Sequence, residues 1–220
     1  MDTEHHIGGQ GDIIDLHLNT SGAAAMASFT ENNIRDLLTT SAEVKSLTAE
    51  KCSAETMRAA EMVAGSLRAG CKLMFCGNGG SAGDSQHLAA EFVATLDHRR
   101  PRHGLAALAL TTDSSFLTAY ANDFGFEGIF ARQVETLGRP GDVLVAISTS
   151  GNSANVVAAC EAARNHGIAI VAMTGEGGGK LAEHADLLLA VPSTVTMHIQ
   201  ESHIALGHAL TLAVERLLEV

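Results

Sequence analysis

Five short apolar runs, separated by segments with helical periodicity, constrain the fold of this 220-residue chain more than any other feature. The runs show no clean alternation of polar and apolar residues, which is typical of strands buried on both faces of a sheet. Strands that alternate with helices form parallel sheets through right-handed crossovers. The sequence therefore predicts an α/β fold, with a doubly wound five-stranded parallel sheet flanked by helices and ligands bound beyond the carboxyl ends of the strands. The predicted strands are 72–76, 105–110, 143–148, 168–173 and 187–191.

Apolar residues at helical spacing also occupy the chain before the first strand. Residues 27–47 and 53–69 predict a pair of N-terminal helices, and Gly70 ends the second. The first 25 residues are rich in Gly and His and show no sustained period. We therefore predict an N-terminal extension at 1–25 and one domain at 26–220, a length that suits a single hydrophobic core.

The predicted helical pair, at 26–70, carries more apolar surface than one sheet can cover. A sheet layer covers one face of a helix, and large exposed apolar patches are unusual on monomers. The surplus predicts that the pair is used in assembly, buried against another subunit of a closed, symmetric homo-oligomer. The apolar residues on more than one side of the first helix are Phe29, Leu37, Leu38, Val44 and Leu47.

The net charge of −11 at pH 7 narrows the range of partners. Together with the absence of Trp, it argues against a nucleic-acid partner, because such a surface needs basic residues and aromatic platforms. A local pocket for a small anion stays open, since net charge is a sum over the whole chain. No apolar run approaches the ~18 residues of a membrane span, and the acidic residues 1–4 lead into no apolar run typical of a secretory signal.

Cysteine usage predicts a reducing compartment. Cys52, Cys71, Cys76 and Cys160 show no Cys-x-x-Cys spacing. Cys71 and Cys76 bracket one predicted strand, where an extended backbone holds them beyond disulfide reach. We therefore predict reduced, mostly buried thiols in a cytoplasmic protein.

The first predicted strand runs into a glycine-rich loop, Gly77-Asn-Gly-Gly-Ser-Ala-Gly83, and a helix is predicted from about Asp84. Glycines let a backbone approach a ligand closely, and a helix start offers free N–H groups and the positive end of its dipole. A bound phosphate explains the loop. A tight strand-to-helix turn without a ligand explains it equally well.

The same loop matches a dinucleotide-binding fingerprint, which offers a competing function. Gly77, Gly79 and Ala82 fit the pattern Gly-x-Gly-x-x-Ala, and Asp113 is predicted to end the next strand. Asp113 comes later than the usual ~20 residues after the fingerprint, so the match is weak. A nicotinamide enzyme usually also needs a substrate domain. Here the rest of the chain is predicted to form the sheet and its helices, which leaves no segment for such a domain.

The third predicted strand ends in a hydroxyl-rich loop, Ser148-Thr-Ser-Gly-Asn-Ser153, which enters a helix predicted at 154–166. Four hydroxyl groups and the free N–H groups of a helix start can surround phosphate oxygens without any Lys or Arg. Helix capping needs only one Ser or Thr, so it does not explain four hydroxyls within six residues. The pattern favours a phosphate site.

The helix after the glycine loop carries His87 and Glu91 four residues apart, so both side chains face one direction. That spacing suits a shared metal ion or an acid–base pair. An ordinary exposed His–Glu pair has the same spacing.

The last helix, predicted at 197–218, places three polar side chains among apolar residues. Buried polar groups need partners, so Gln200, His203 and His208 call for an explanation. Spacing pairs Gln200 with His203, whereas His208 lies about 12 Å further along the helix axis from Gln200. Either histidine can instead be a hydrogen-bonded core imidazole.

Six segments, taken in order along residues 27–218, resemble the sugar isomerase (SIS) domain and, more closely, the phosphoheptose isomerases. They are Cys76-Gly-Asn-Gly-Gly-Ser-Ala82, His87 with Glu91, Asn122-Asp-Phe-Gly-Phe126, Gly141-Asp-Val-Leu144, Ile147-Ser-Thr-Ser-Gly-Asn-Ser153, and Ile199-Gln-Glu201 with His208. The resemblance implies a flavodoxin-like sheet and a homotetramer. It also implies an isomerase that converts sedoheptulose 7-phosphate to D-glycero-D-manno-heptose 7-phosphate through an enediol, the first step of nucleotide-activated heptose biosynthesis.

The resemblance implies a catalytic pair and a metal site in the same place. Glu91 and His208 would be the acid–base pair. Some family members bind zinc, which here would be one ion per subunit held by His87, Glu91, Gln200 and His208. A carboxylate bound tightly to zinc is a poorer base, so Glu91 either uses its free oxygen or alternates between the two roles.

Substrate contacts are implied at positions on both loops and two helices. The residues that would hold the phosphate are Ser148, Thr149, Ser150 and Ser153. The residues that would contact the rest of the substrate are Asn78, Gly79, Gly80, Ser81, Glu91, Asn122, Asp123 and Gln200.

Two positions depart from the family pattern. Family members often carry Arg where this chain has Thr95, and some carry Asp where it has Met197. These departures concern substrate positioning rather than reaction class. Non-catalytic relatives that associate with a replication initiator lack the glutamate and the final histidine, whereas this chain has both Glu91 and His208. Relatives that sense sugar phosphates are usually joined to a DNA-binding domain, for which residues 1–25 are too short.

Overall fold

Five parallel strands form the centre of the computed structural model, which describes residues 29–220. The strands are β1 Leu73–Gly77, β2 Ala107–Ala109, β3 Val143–Ser148, β4 Ala169–Thr174 and β5 Leu187–Ala190. They lie in the order β2-β1-β3-β4-β5. The direction of winding reverses between β1 and β3, as in flavodoxin-like sheets, where such a point binds ligands. The predicted doubly wound sheet is confirmed, and the predicted extension at 1–25 lies outside the described residues.

Helices cover both faces of the sheet because its central strands are apolar on both. The helices are α1 Glu31–Arg68, α2 Gly80–Val93, α3 Ser114–Phe124, α4 Ala131–Leu137, α5 Ala154–Asn165 and α6 Thr196–Leu218, with 3₁₀ turns at Phe126–Gly128 and Gly179–Glu183. Alternate residues of β3 enter different cores. Val145 and Ile147 pack in the core with α1, α2 and α6, whereas Leu144 and Ala146 pack in the core with α4 and α5. This two-sided burial explains why the strand sequences show no polar alternation.

The N-terminal helical pair predicted at 27–47 and 53–69 is wrong, because α1 is one continuous helix of 38 residues. No Gly or Pro lies between the two predicted stretches. The apolar period is interrupted there because a polar residue, Thr48, occupies the buried face. Its hydroxyl donates to the Val44 carbonyl at 2.7 Å, so the polar group is satisfied within its own helix.

Two boundaries near the predicted site also differ from expectation. α2 begins at Gly80 rather than near Asp84, so the glycine loop supplies the first turn of the helix. β2 stops at Ala109, and Asp113 caps α3, its carboxylate accepting from the Phe116 N–H at 2.9 Å. Capping accounts for Asp113 without a ribose ligand, which removes the acidic residue on which the dinucleotide alternative depended.

The four cysteines are free thiols, as predicted, and three of them are buried. Burial raises the pKa of the Cys76 thiol well above its usual range and that of Cys160 to about 12. Within residues 29–220, none of the helices is long and apolar enough to cross a membrane.

Candidate functional site

Two loops at adjacent strand ends form the centre of the candidate site. The glycine loop, 77–83, follows β1, and the hydroxyl loop, 148–153, follows β3. The two strands are hydrogen-bonded neighbours, with Gly77 opposite Ile147. Both loops therefore lie at the point where the direction of winding reverses, which is the position predicted for a ligand.

Close packing explains two glycines of the first loop. A β-carbon on Gly77 would lie 2.7 Å from the Ser81 β-carbon and 2.9 Å from the Ile147 carbonyl oxygen. A β-carbon on Gly80 would overlap the side-chain amide of Gln200, which reaches over from α6. Glycine at position 80 thus lets Gln200 lie against the start of α2. The next residue, Ser81, which is a predicted substrate contact, is buried.

Asn78 connects the two loops through its side chain. Its amide donates to Asn155 Oδ1 at 2.8 Å, and the Asn155 amide donates to Asn78 Oδ1 at 2.9 Å. Asn155 is buried in the first turn of α5 and is absent from the predicted site. The sequence signal that could have identified Asn155 is its position two residues after the hydroxyl loop. Gly79, next to Asn78, precedes α2 with a φ of 54°, which favours glycine.

Three hydroxyl groups of the second loop lie close together. Ser148 Oγ is 2.9 Å from Ser153 Oγ and 3.5 Å from Ser150 Oγ. Ser153 is the N-cap of α5, so the free N–H groups of that helix begin beside these hydroxyls. An oxyanion can accept hydrogen bonds from both kinds of donor without a Lys or Arg.

Thr149 lies in a neighbouring cavity of about 180 Å³ that contains more hydroxyl groups than the sequence analysis assigned. Ser193, Thr194 and Thr196 line it from the segment that enters α6, and Glu176 adds a carboxylate. The sequence feature that could have identified this cavity is the hydroxyl-rich run at 193–196, after the last predicted strand. This segment extends the polar surface beyond the hydroxyl loop.

His87, Glu91 and His208 form a compact cluster between α2 and α6. His87 Nε2 lies 2.9 Å from His208 Nε2 and 3.4 Å from Glu91 Oε1. One possible ligand atom from each residue lies within 4.8 Å of the other two. The structure therefore brings the His–Glu pair of one helix into contact with a histidine 117 residues beyond Glu91, and their chemical roles stay predictions.

A glycine of α6 allows this contact. A β-carbon on Gly207 would overlap the side chain of Leu88, which is almost fully buried. Leu88 follows His87 and Gly207 precedes His208, so their packing lies at the height of the cluster. The absence of a side chain at position 207 therefore sets how closely the two histidines approach.

His203 belongs to the core rather than to the cluster. Its Nε2 donates to the Thr174 carbonyl at 3.0 Å, and Nδ1 has no hydrogen-bond partner among the described residues. Burial lowers its pKa to about 4, so the ring is neutral at pH 7. The core-imidazole alternative is confirmed for His203. The pairing of Gln200 with His203 is not made, because Gln200 lies against Gly80 instead.

Asn122 and Asp123 lie apart from these contacts, near the end of α3. The Asn122 amide donates to Asp123 Oδ1 at 2.8 Å, and both residues are exposed. Phe124 and Phe126 beside them are also exposed. Within the described chain, neither Asn122 nor Asp123 hydrogen-bonds to the two loops, so substrate contact by this pair stays a prediction.

Comparison with known proteins connects this site to one family. The SIS domain family model matches residues 38–175. The phosphoheptose isomerase of Roseiflexus sp. (strain RS-1) is 55% identical over 183 residues, which cover 83% of this chain and 92% of that protein. The phosphoheptose isomerase of Rhodospirillum rubrum is 58% identical over 165 residues, covering 74% of this chain and 86% of that protein.

Solved structures give the same result. A phosphoheptose isomerase from Neisseria gonorrhoeae superposes with a TM-score of 0.79 at 44% identity, covering 84% of this chain and 98% of the other. The stretch matched by the family model contains the glycine loop, the His87–Glu91 pair and the hydroxyl loop. Because relatives more than half identical span most of its length, the chain belongs to the SIS domain family and, within it, to the phosphoheptose isomerases.

Proposed function

We propose that this protein isomerises sedoheptulose 7-phosphate to D-glycero-D-manno-heptose 7-phosphate. The observation that carries the proposal is the cluster of His87, Glu91 and His208, two members of which lie on the helix that begins in the glycine loop. Moving a carbonyl between C1 and C2 requires one group that transfers a carbon-bound proton and another that transfers an oxygen-bound proton. Membership of the phosphoheptose isomerases supports the substrate class.

The phosphate group would bind at the hydroxyl loop. The hydroxyl groups of Ser150 and Ser153 each lie within 3.5 Å of the Ser148 hydroxyl, next to the N-terminus of α5. Thr149 would contact the phosphate from the adjoining cavity.

Proton transfer would divide between the two candidate catalytic groups. Glu91 removes a proton from C1 of the ketose while His208 protonates the C2 oxygen, which gives the enediol. Glu91 then returns its proton to C2 while His208 takes the proton from the C1 oxygen, which gives the aldose. Each residue ends in the protonation state in which it began, so the cycle is complete without another acid or base.

The same cluster fits a zinc ion. Two imidazoles and a carboxylate, with possible ligand atoms within 4.8 Å of one another, are ligand types that zinc prefers. His87, Glu91 and His208 would hold the ion, and Gln200 is the fourth predicted ligand. A bound zinc would supply Lewis-acid stabilisation of negative charge on the sugar oxygens. With zinc bound, Glu91 would need its second oxygen for proton transfer, and His208 would need the ring nitrogen that does not bind the ion.

Metal content gives a test of the zinc proposal that is independent of isomerase activity, and the activity of metal-free protein gives a second test. We expect protein purified without chelator to contain up to one zinc per chain by elemental analysis. His87→Ala should lower that content because it removes one ligand, whereas His103→Ala, at an exposed position outside the cluster, should not. Full isomerase activity in metal-free protein would contradict the zinc proposal and leave the acid–base pair intact.

A non-catalytic sugar-phosphate-binding or replication-initiator-associating protein is the alternative function. It is not favoured, because such relatives lack the residues that match Glu91 and His208. Here both are present, and both belong to one cluster with His87.

We infer a homo-oligomer from the surface of α1, and the resemblance to the phosphoheptose isomerases implies that it is a homotetramer. The first ten residues of this helix, 31–40, are all exposed, and Ile34 and Leu38 among them are 50% and 61% exposed. A helix of 38 residues is about 57 Å long, so its first turns extend beyond the body of the chain. Burial against further copies of the chain would cover them. The cytoplasmic location stays a prediction from the cysteine pattern.

The isomerase proposal is tested by incubating the protein with sedoheptulose 7-phosphate and detecting an aldoheptose phosphate by NMR. Glu91→Gln keeps the shape of the side chain but removes the base, so turnover should fall by about 10² or more while substrate binding largely survives. Glu135→Gln, an exposed carboxylate on α4, is the matched control and should keep normal turnover. Near-normal turnover of Glu91→Gln would remove Glu91 from the mechanism.

A further inference from the structure

Arg102 is a buried arginine that joins the two helices of the His87–Glu91–His208 cluster. It lies in the segment between α2 and β2, outside the site described above, and its side chain is only 3% exposed. A buried guanidinium needs partners for its N–H groups. Those partners lie at the end of α2 and on α6.

One side of the guanidinium covers the C-terminus of α2. Arg102 Nη2 donates to the main-chain carbonyl of Glu91 at 2.9 Å, and Nη1 donates to the carbonyl of Phe92 at 2.9 Å. The last carbonyls of a helix have no partners within the helix. α2 ends without a left-handed glycine, since the residue after its C-cap Ala94 is Thr95, which has no positive φ. Arg102 therefore takes the place of a cap and holds Glu91 by its own main chain.

The other side of the guanidinium binds α6. Arg102 Nε donates to Glu215 Oε1 at 2.7 Å, and Glu215 is itself buried. Glu215 lies seven residues beyond His208, so the two side chains lie on the same face of α6, about 10 Å apart along the axis. One rigid, planar group thus connects the backbone of Glu91 to the helix that carries His208.

We propose that Arg102 is a positioning residue, which holds Glu91 at its working distance from His208 by binding the end of α2 and Glu215 together. The proposal rests on the isomerase function. Lysine cannot replace the arginine, because one ammonium group lacks the planar fork that reaches two carbonyls and a carboxylate at once. Small displacements of reacting groups lower turnover strongly, whereas the hydroxyl loop, which is proposed to bind the phosphate, makes no hydrogen bond to Arg102 and should keep its affinity.

The test compares Arg102→Lys with Asp142→Asn. Arg102→Lys keeps a positive charge beside Glu215, so the fold is retained. We expect its kcat to fall by about tenfold or more while KM stays within about twofold. Asp142 is also buried, and it binds Lys72 and the main chain of Arg139, with no hydrogen bond to α2 or α6 among the described residues. Asp142→Asn therefore removes a comparable buried ion pair and should keep its kcat. A normal kcat for Arg102→Lys, or an equal loss in both variants, would overturn the proposal.

Two further measurements separate positioning from folding and from the isomerase proposal. In Arg102→Ala, millimolar guanidinium should restore part of the lost kcat, because it can occupy the vacated space between Glu91 and Glu215. If the wild-type protein fails to isomerise sedoheptulose 7-phosphate, the imidazole NMR signals of His87 and His208 replace the kinetic measurement. These signals should shift in Arg102→Lys and not in Asp142→Asn, and unchanged signals in Arg102→Lys would overturn the positioning role.

Discussion

His203 and His208 lie five residues apart on α6, yet their surroundings differ completely. His203 is fully buried and donates to the Thr174 carbonyl, whereas His208 contacts His87 in the cluster between α2 and α6. The difference arises because five residues turn a helix by about 500°, which is one revolution and about 140° more. The two rings therefore leave the helix on different sides. One imidazole therefore supports the core and the other serves the candidate site.

The buried His203 should make the protein less stable in acid. Its pKa is about 4 in the folded chain, below the ordinary value near 6.5 expected after unfolding. As pH falls through 6.5 toward 4, the unfolded chain binds a proton that the folded chain does not, so the free energy of unfolding falls by about 3 kcal/mol. Below about pH 4 this contribution levels off.

Denaturant unfolding of His203→Gln at several pH values measures this contribution. The glutamine amide can still donate to the Thr174 carbonyl but does not titrate. We expect this variant to lose less unfolding free energy than the wild type between pH 6.5 and 4. His103→Gln, at an exposed histidine, should keep the wild-type pH dependence. An unchanged acid dependence in His203→Gln would contradict the assignment.

At the scale of elements, the approach of α2 to α6 decides whether a site exists. Gly207 lies directly against Leu88, and Gln200 lies directly against Gly80. α6 therefore packs against α2 at two positions along the helices, one next to the cluster and one next to the glycine loop. Two glycines thus make room for side chains from the partner helix, and the site forms in the space between the helices.

Gly207→Ala should separate the two helices, and Gly65→Ala provides a matched control. Position 65 in α1 has nothing within 4 Å of an added β-carbon, so alanine there should raise the unfolding free energy by about 0.5–1 kcal/mol. At position 207 the new methyl group overlaps buried Leu88, so stability should fall by about 1–3 kcal/mol and kcat should fall with it. Denaturant titrations and isomerase assays measure both effects. Equal behaviour of the two variants would contradict the packing argument.

At the scale of the whole molecule, α1 contributes both to the core and to a surface that no other residue in the range 29–220 covers. Its second half packs into the core through Cys52, Ala59, Ala60, Val63 and Ala64. Its first ten residues are exposed and include apolar side chains. Because α1 is one continuous helix, contact of its first half with another copy of the chain would fix the position of its second half relative to that copy. The sheet that packs against the second half would be fixed with it.

Light scattering tests the proposed assembly. We expect a mass about four times the 22.8 kDa of one chain. Leu38→Glu places a charge on the exposed apolar face of α1 and should dissociate the assembly, and deletion of residues 1–50 should abolish both assembly and turnover. Leu137→Glu, at an exposed position on α4, is the control and should leave the mass unchanged. A 22.8 kDa monomer that still isomerises substrate would contradict the assembly proposal.

The sequence by itself determined the features that depend on local patterns. All five strands lie where apolar runs between helical segments predict them, and the two loops follow β1 and β3 as expected. The side-by-side placement of His87 and Glu91 also follows from helix geometry alone. Local patterns suffice here because burial on both faces and helical periodicity act on residues close together in the chain.

Only the tertiary structure decided the contacts between distant residues. The meeting of His87 with His208, the bridge from Asn78 to Asn155 and the burial of Arg102 join residues far apart in the chain. The continuity of α1 was hidden for a related reason, since a buried hydroxyl bonded within the helix looks like a polar break in the sequence. Such contacts depend on strand order and on how closely helices pack, which no local periodicity encodes.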